Sequence, residues 1–352
     1  MSREFNVAGP CSPEKHYMLD AISRLGEVLP LIDGEKYFII HAARQSGKTT
    51  FLREMTKKLN QSGKYYTLYC SLERAQGMDD PSKGIPAIMR CIKSAVRMSQ
   101  IPKNIPFDVD TTNNDSDSLL FESLLDLCSL LDKPLVLFFD EADCLSGLTM
   151  ISFLRQLRNG YITRSDSPFV HSLALVGMLN INEYKMQYRS ESETLGTASP
   201  FNIVAESLTL QNFSKEDIAE LYAQHTADTK QQFDPEAVEL VWQQTQGQPW
   251  LVNAIAREAV EKILKSDYSQ VVTSQIIEQA IQNIILRRDT HIESLLARLR
   301  EKRIRKILQP IILGEIAKID YSSDDFLFTR DLGLIRKNDG KLEFANQIYA
   351  EV

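Results

Sequence analysis

Eight consecutive residues, Ala42-Ala43-Arg44-Gln45-Ser46-Gly47-Lys48-Thr49, have the types and spacing that hold phosphate. A Gly-Lys-Thr triplet where a loop runs into a helix offers three things together. Backbone N–H groups surround phosphate oxygens, the helix start favours anionic charge, and the side chains add an ammonium and a hydroxyl. The binding loop then comprises Ala43, Arg44, Gln45, Ser46, Gly47, Lys48, Thr49 and Thr50. Lys48 reaches β- and γ-phosphates, and the Thr49 hydroxyl ligates Mg²⁺. One position departs from the usual pattern. Ala42 stands where such loops open with glycine, which keeps a small side chain but relaxes the turn. The plain alternative is an ordinary strand-to-helix loop with a chance Gly-Lys-Thr.

A second group lies ~90 residues downstream, a spacing that supports the first. Leu135-Val136-Leu137-Phe138-Phe139 ends in Asp140-Glu141-Ala142-Asp143. Five continuous apolar residues indicate a strand buried on both faces, as in a parallel sheet. Asp140 is then positioned to bind Mg²⁺, directly or through water. Glu141 is positioned to orient and deprotonate an attacking water. The alternative is a strand that ends in a solvated acidic turn. Asn180, just past a later strand, is a candidate contact to the γ-phosphate or the lytic water, with Asn182 as the other choice. Arg155 and Arg158 are candidates for a phosphate or neighbouring-subunit contact, although a solvated helix face explains them as well.

The elements that position these residues follow from periodicity. Tyr37-Phe38-Ile39-Ile40 leads into the loop as a strand, and Thr50 to Met55 leads out as a helix. Further strands are expected at 65–70, 172–178 and 203–208, with helices at 81–100, 119–131 and 150–159. A single strand, 65–70, separates the loop strand from the Asp-Glu strand in sequence. That fits the ATPase division with an inserted strand and a catalytic glutamate. Residues 1–35 form a lead-in, with a helix from Met18 to Leu31. Its His16 and Tyr17 either touch an adenine or, for an aromatic, pin the loop to the core. From Asn212 the period is helical. Ser214 with Asp217 marks one helix start, Asp234-Pro235 another, and Gly247-Gln248-Pro249-Trp250 breaks the run before a helix over 251–264. Residues 287–306 carry eight basic and three acidic residues, a local balance of +5. Ile304, Ile307, Leu308, Ile311 and Ile312 share one face of that segment. Asn338-Asp339-Gly340 between apolar runs predicts a hairpin. Helices followed by a hairpin suggest a winged helix.

Composition bounds the alternatives. A chain of 352 residues, 43% hydrophobic and 25% charged, has room for several soluble domains. No run approaches the ~20 apolar residues of a membrane span, so no membrane association is expected. Five cysteines without a Cys-x-x-Cys pair read as reduced thiols of a cytoplasmic protein. The net charge of −7 argues against a protein that coats nucleic acid wholesale.

With these residues placed, the chain resembles a family of bacterial P-loop ATPases, the AAA-like proteins related to archaeal-type and STAND ATPases. The likeness rests on Phe5-Asn6 with Gly9-Pro10, Glu14-Lys15-His16-Tyr17, Ala43 to Thr49, Asp140 to Asp143 and Leu154 to Arg158. It continues through Phe201 to Leu208, Gly247 to Asn253, Leu286 to His291, Arg330 to Ile335 and Phe344 to Tyr349. The resemblance implies ATP and Mg²⁺ at Lys48, Thr49, Asp140 and Glu141. It supplies no client. Members often continue past the segment that matches Ile348-Tyr349.

The expected architecture is α/β. A lead-in (1–35) packs on a P-loop NTPase core with a parallel five-stranded sheet (36–209). A helical lid (210–285) and a C-terminal winged-helix-like domain (286–352) follow. The expected activity is an ATP-driven switch that cycles between ATP and ADP and acts with a second copy or a protein partner. A scaffold that holds ATP without hydrolysis is one rival. A DNA-dependent ATPase or loader using residues 287–306 is another, less favoured because the basic helix lacks interleaved aromatics. A kinase is weaker still, since no acceptor site stands out.

Overall fold

In the computed structural model, residues 3–107, 116–178, 202–287 and 290–352 are described. A short helix, α1 (Val28–Asp33), precedes strand β1 (Tyr37–His41), and helix α2 (Lys48–Gln61) begins at the lysine of the phosphate motif. Then come β2 (Tyr66–Ser71), α3 (Pro81–Met98), α4 (Leu119–Leu130), β3 (Leu135–Asp140), α5 (Gly147–Thr163), β4 (Ser172–Gly177) and β5 (Val204–Thr209). The five strands form one parallel sheet in the order β2-β3-β4-β1-β5. Every residue of β1, β3 and β4 is buried, as their unbroken apolar runs require when helices cover both faces. β5, at the edge, keeps only Leu208 buried.

The order refines one expectation. The strand between β1 and β3 in sequence is β2, and it lies at the outer edge of the sheet. In space β4 stands between them, through the registers Ile39 to Leu175 and Phe139 to Leu175. Because all strands run the same way, His41 and Asp140 end their strands at one edge of the sheet.

Two other expectations are corrected. The helix proposed for Met18 to Leu31 is a 3-10 turn at Ser23–Leu25 followed by α1. Asp20 diverts the backbone: its carboxylate accepts from Ile22 N–H and its carbonyl from Ser23 Oγ, a local pattern that competes with helix. The run expected over 251–264 is α-helical only to Arg257 and continues without a break as a π-helix over Glu258–Ile263. There the buried Glu258 carboxylate accepts from Asn283 and Arg287.

By density of internal contacts the chain forms two compact units. One is Leu25–His41 with Phe51–Thr209, which holds the sheet. The other joins the lead-in through Arg24, Ala42–Thr50 and Leu210–Val352. The second unit contains α6 (Lys215–Thr229), α7 (Pro235–Thr245), α8 (Pro249–Arg257) and α9 (Ser274–Arg287). It ends in α10 (Thr290–Leu299), α11 (Lys302–Ile312), α12 (Asp324–Asp331), β6 (Ile335–Asn338), β7 (Lys341–Phe344) and α13 (Gln347–Glu351). α6 opens with the full capping box: Ser214 N–H donates to Asp217, and Asp217 N–H donates to Ser214 Oγ. β6 and β7 pair antiparallel across Asp339-Gly340, as the turn residues predict. On α11, Ile304, Ile307 and Leu308 are buried, but Ile312 is exposed where the helix runs out.

Gly247 is needed between α7 and α8. Its φ is +71°, its carbonyl accepts from Phe213 N–H at 2.9 Å, and a Cβ there would stand 1.8 Å from the Phe213 carbonyl oxygen. Gly247→Ala is expected to destabilise the protein by about 3 kcal/mol or more, since both the backbone angle and the contact oppose a side chain. The shift in urea midpoint at unchanged m-value checks this.

Candidate functional site

The loop after β1 is shaped by what its carbonyls bond. Lys48 Nζ donates to the carbonyls of Ala42 and Ala43 at 2.7 and 2.8 Å, and Ser46 Oγ donates to Ala43 as well. Gln248 Nε2, from the Gly-Gln-Pro-Trp turn, approaches the carbonyls of Arg44 and Gln45 at 3.4 Å each. Arg24 Nη2 donates to the Ser46 carbonyl at 3.0 Å. Every carbonyl from Ala42 to Ser46 therefore has a side-chain partner. In a trans peptide the following N–H points away from the carbonyl, and the described chain has no cis bond. The N–H groups of Arg44, Gln45, Ser46 and Gly47 thus face away from these partners. Among the described residues none of the four donates a hydrogen bond. Gln45 at φ +59° and Gly47 at φ +89° bend the backbone into this shape. Successive free N–H groups on a turn that leads into a helix make an anion-binding concavity. Thr49 is the second residue of α2, and the Thr50 hydroxyl accepts from Cys11 N–H at 3.0 Å.

C-terminal residues grip the loop from outside. Arg44 Nη1 donates to Ser294 Oγ at 2.9 Å. Gln45 Oε1 bonds His291 Nδ1, and His291 Nε2 bonds the Tyr349 hydroxyl at 2.6 Å. An amide oxygen only accepts, so Nδ1 carries the proton and Nε2 accepts from Tyr349. His291 stacks on Trp250 with ring centroids 4.9 Å apart. Burial first, and the nearby Arg44 charge second, pull its pKa down from 6.5 to about 4, so the imidazole is neutral near pH 7. Gly333 abuts Ala43, where an added Cβ would lie 2.6 Å from the alanine methyl.

The acidic pair ends β3 within the sheet-bearing unit. The Asp140 side chain is 2% exposed. Its Oδ2 accepts from the Tyr69 hydroxyl at 2.9 Å and its Oδ1 from Glu141 N–H at 3.0 Å. Arg53 lies over the Tyr69 ring at 5.5 Å. Glu141 is exposed and sits in the left-handed region at φ +57°, a conformation that costs roughly 1–2 kcal/mol for a residue with a Cβ. Asp143 accepts from Met178 N–H at 3.0 Å and so ties this turn to the end of β4.

The other candidate residues have separate fates. Asn180 and Asn182 lie outside the described residues. Tyr17 is buried against Phe5 and His225 and bonds His225 through its hydroxyl, which is the pinning role. His16 Nδ1 accepts from Ser12 N–H. Arg155 is exposed and Arg158 partly buried on α5. Of the basic stretch, Arg287, Arg298, Arg303 and Lys306 pair with Glu258, Glu301 and Asp325, and Arg303 also covers the Phe328 ring. Sequence reading missed Arg24, His291 and Tyr69. No periodicity or motif marks Arg24, and the family segment Leu286 to His291 contains His291 without giving it a role, because the partners of both are distant in the chain. Tyr69 is two residues before the end of β2, whose pairing with β3 was not legible beforehand.

A strand, a phosphate-type loop and a helix on a five-stranded parallel sheet define a P-loop NTPase fold. A family model described as an AAA-like domain matches residues 33–352, and the chain belongs to that family. The structure is similar to a Walker-type ATPase of Pyrococcus abyssi, with a TM-score of 0.66 at 16% identity over 99% of this chain and 98% of that one. More distant are the RuvB Holliday junction branch migration motor of Thermotoga maritima (TM-score 0.47, 12% identity, 97% of each chain) and the Aeropyrum pernix Orc1 protein solved with DNA (0.46, 15%, 99% and 92%). No curated protein matches the sequence significantly.

Two outcomes are expected. The unfolded chain protonates His291 near pH 6.5 while the folded chain resists until about 4. Its contribution is therefore complete above pH 6.5 and is lost as pH falls toward 4, by about 3 kcal/mol. His291→Asn should flatten the decline in thermal midpoint over that range. Tyr69→Phe removes a hydroxyl from a buried carboxylate and should cost about 1–3 kcal/mol in denaturant unfolding.

Proposed function

We propose that the chain binds ATP with Mg²⁺ at Ala43–Thr50 and hydrolyses it, working as a nucleotide-dependent switch. The N–H groups of Arg44, Gln45, Ser46 and Gly47, none of which donates a hydrogen bond among the described residues, support this most directly, because on a turn that leads into a helix they suit a polyphosphate. Lys48 Nζ is held over the same loop by the carbonyls of Ala42 and Ala43, at the start of the helix. Strand order supports a role for the acidic pair, since β3 and β1 end at one edge of the sheet with β4 between them.

The donors suit the metal. Among the described residues no group of three or more His, Cys, Asp or Glu is placed to hold an ion. A hydroxyl and a carboxylate, Thr49 and Asp140, match the few protein ligands that Mg²⁺ takes while it keeps waters and phosphate oxygens. When bound, the ion would neutralise phosphate charge. Glu141, exposed at the strand end, then acts as general base toward a water. Asp140, fixed by Tyr69 and by Glu141 N–H, keeps its carboxylate in one orientation.

The switch rests on the contacts of Ala43, Arg44 and Gln45 with Gly333, Ser294 and His291. A ligand that changes the loop changes the free energy of these contacts, and the coupling is reciprocal. The internal ion pairs of the basic stretch make DNA the less favoured partner. No helix among the described residues is long and apolar enough to cross a membrane.

Lys48→Ala is expected to abolish nucleotide binding in a fluorescent-nucleotide titration. Glu141→Gln should keep binding but lower the rate of phosphate release by about 100-fold or more. Wild-type turnover in Glu141→Gln would remove the assigned base.

A further inference from the structure

We propose that Arg24 is a positioning residue of the phosphate loop: its guanidinium holds the Ser46 carbonyl, and so aims the Gly47 N–H at the phosphates. The inference rests on the nucleotide reading above and extends it to a residue outside any phosphate motif.

The partners of Arg24 are unusual for a cation. Nη2 donates to the Ser46 carbonyl at 3.0 Å, and both Nε and Nη2 donate to the Gln211 carbonyl, Nε at 3.1 Å. The Phe213 ring lies under the guanidinium at 4.9 Å. Among the described residues no carboxylate bonds it, and Asp217 acts only through space. Burial pulls its pKa down to about 10, so it remains charged near pH 7. A partly buried cation bonded to carbonyls and to no carboxylate leaves its charge uncompensated, and a polyphosphate arriving nearby would supply the counter-charge. Nη1 makes no hydrogen bond among the described residues and lies against Gly47, 3.1 Å from where a Cβ would stand.

The geometry asks for arginine rather than lysine. One planar group must reach two carbonyls, Ser46 at the loop and Gln211 at the start of the helical segment, in fixed directions. An ammonium on a flexible stem can satisfy one of them without fixing the other. Because Ser46 C=O and Gly47 N–H belong to one rigid peptide unit, loss of the fork frees that unit to rotate.

The test is a titration of the full chain with fluorescently labelled ADP and magnesium, for wild type, Arg24→Ala, Arg24→Lys and Lys48→Ala, each checked by thermal unfolding. Arg24→Ala should weaken binding about ten-fold or more, and Arg24→Lys should not restore it. Low-millimolar guanidinium should recover binding by Arg24→Ala but not by Lys48→Ala, with urea at the same concentration inert. A purely structural loss would not show that selective rescue. If Arg24→Ala does not fold, Arg24→Lys decides: wild-type affinity overturns the proposal, and weakened binding supports it. Wild-type affinity in a folded Arg24→Ala, or no rescue by guanidinium, also overturns it. Equal binding by wild type and Lys48→Ala would instead defeat the nucleotide reading itself.

Discussion

A backbone can turn several N–H groups toward one anion only if the carbonyls on the far side of the same peptide planes are satisfied elsewhere. The segment from Ala42 to Gly47 meets that condition with four side chains from three places in the chain. Lys48 and Ser46 lie within the motif, Arg24 lies ahead of β1, and Gln248 lies two hundred residues on. The bonds to Ala42, Ala43 and Ser46, at 2.7 to 3.0 Å, are the shorter ones, and Gln248 adds longer contacts at 3.4 Å to Arg44 and Gln45. The donor face is thus ordered during folding rather than during binding.

The side chains of the loop are held as deliberately as its backbone. Gln45 meets a histidine that is neutral because it is buried, stacked on Trp250 and bonded to the Tyr349 hydroxyl. A neutral imidazole with one donor and one acceptor nitrogen fits between an amide oxygen and a hydroxyl, and burial keeps it neutral. Arg44 and Ala43 are engaged by the same C-terminal stretch. Three adjacent loop residues are thus tied to elements far along the chain.

At the end of β3 the constraint is of another kind. Glu141 is held in the left-handed region, and its own N–H caps the Asp140 carboxylate. Local strain of this sort persists where the surroundings over-determine the backbone, here through Tyr69, the Leu72 N–H on the Asp140 carbonyl, and the Asp143 tie to Met178.

The sheet was largely legible because it depends on local signals. Unbroken apolar runs such as Leu135–Phe139 can be buried only between helices, and Gly-Lys-Thr or Ser214 with Asp217 acts over a few residues. The helix expected from Met18 instead begins at Val28, because Asp20 bonds the backbone of the residues after it. By itself the sequence determined the parallel α/β core, the phosphate loop and the acidic strand end, since each follows from neighbours in the chain. Only the tertiary structure decided that β4 separates β1 from β3, and that Arg24, Gln248 and His291 converge on the loop. Those contacts span roughly 20 to 250 residues, and no local preference encodes which distant donor will meet which carbonyl.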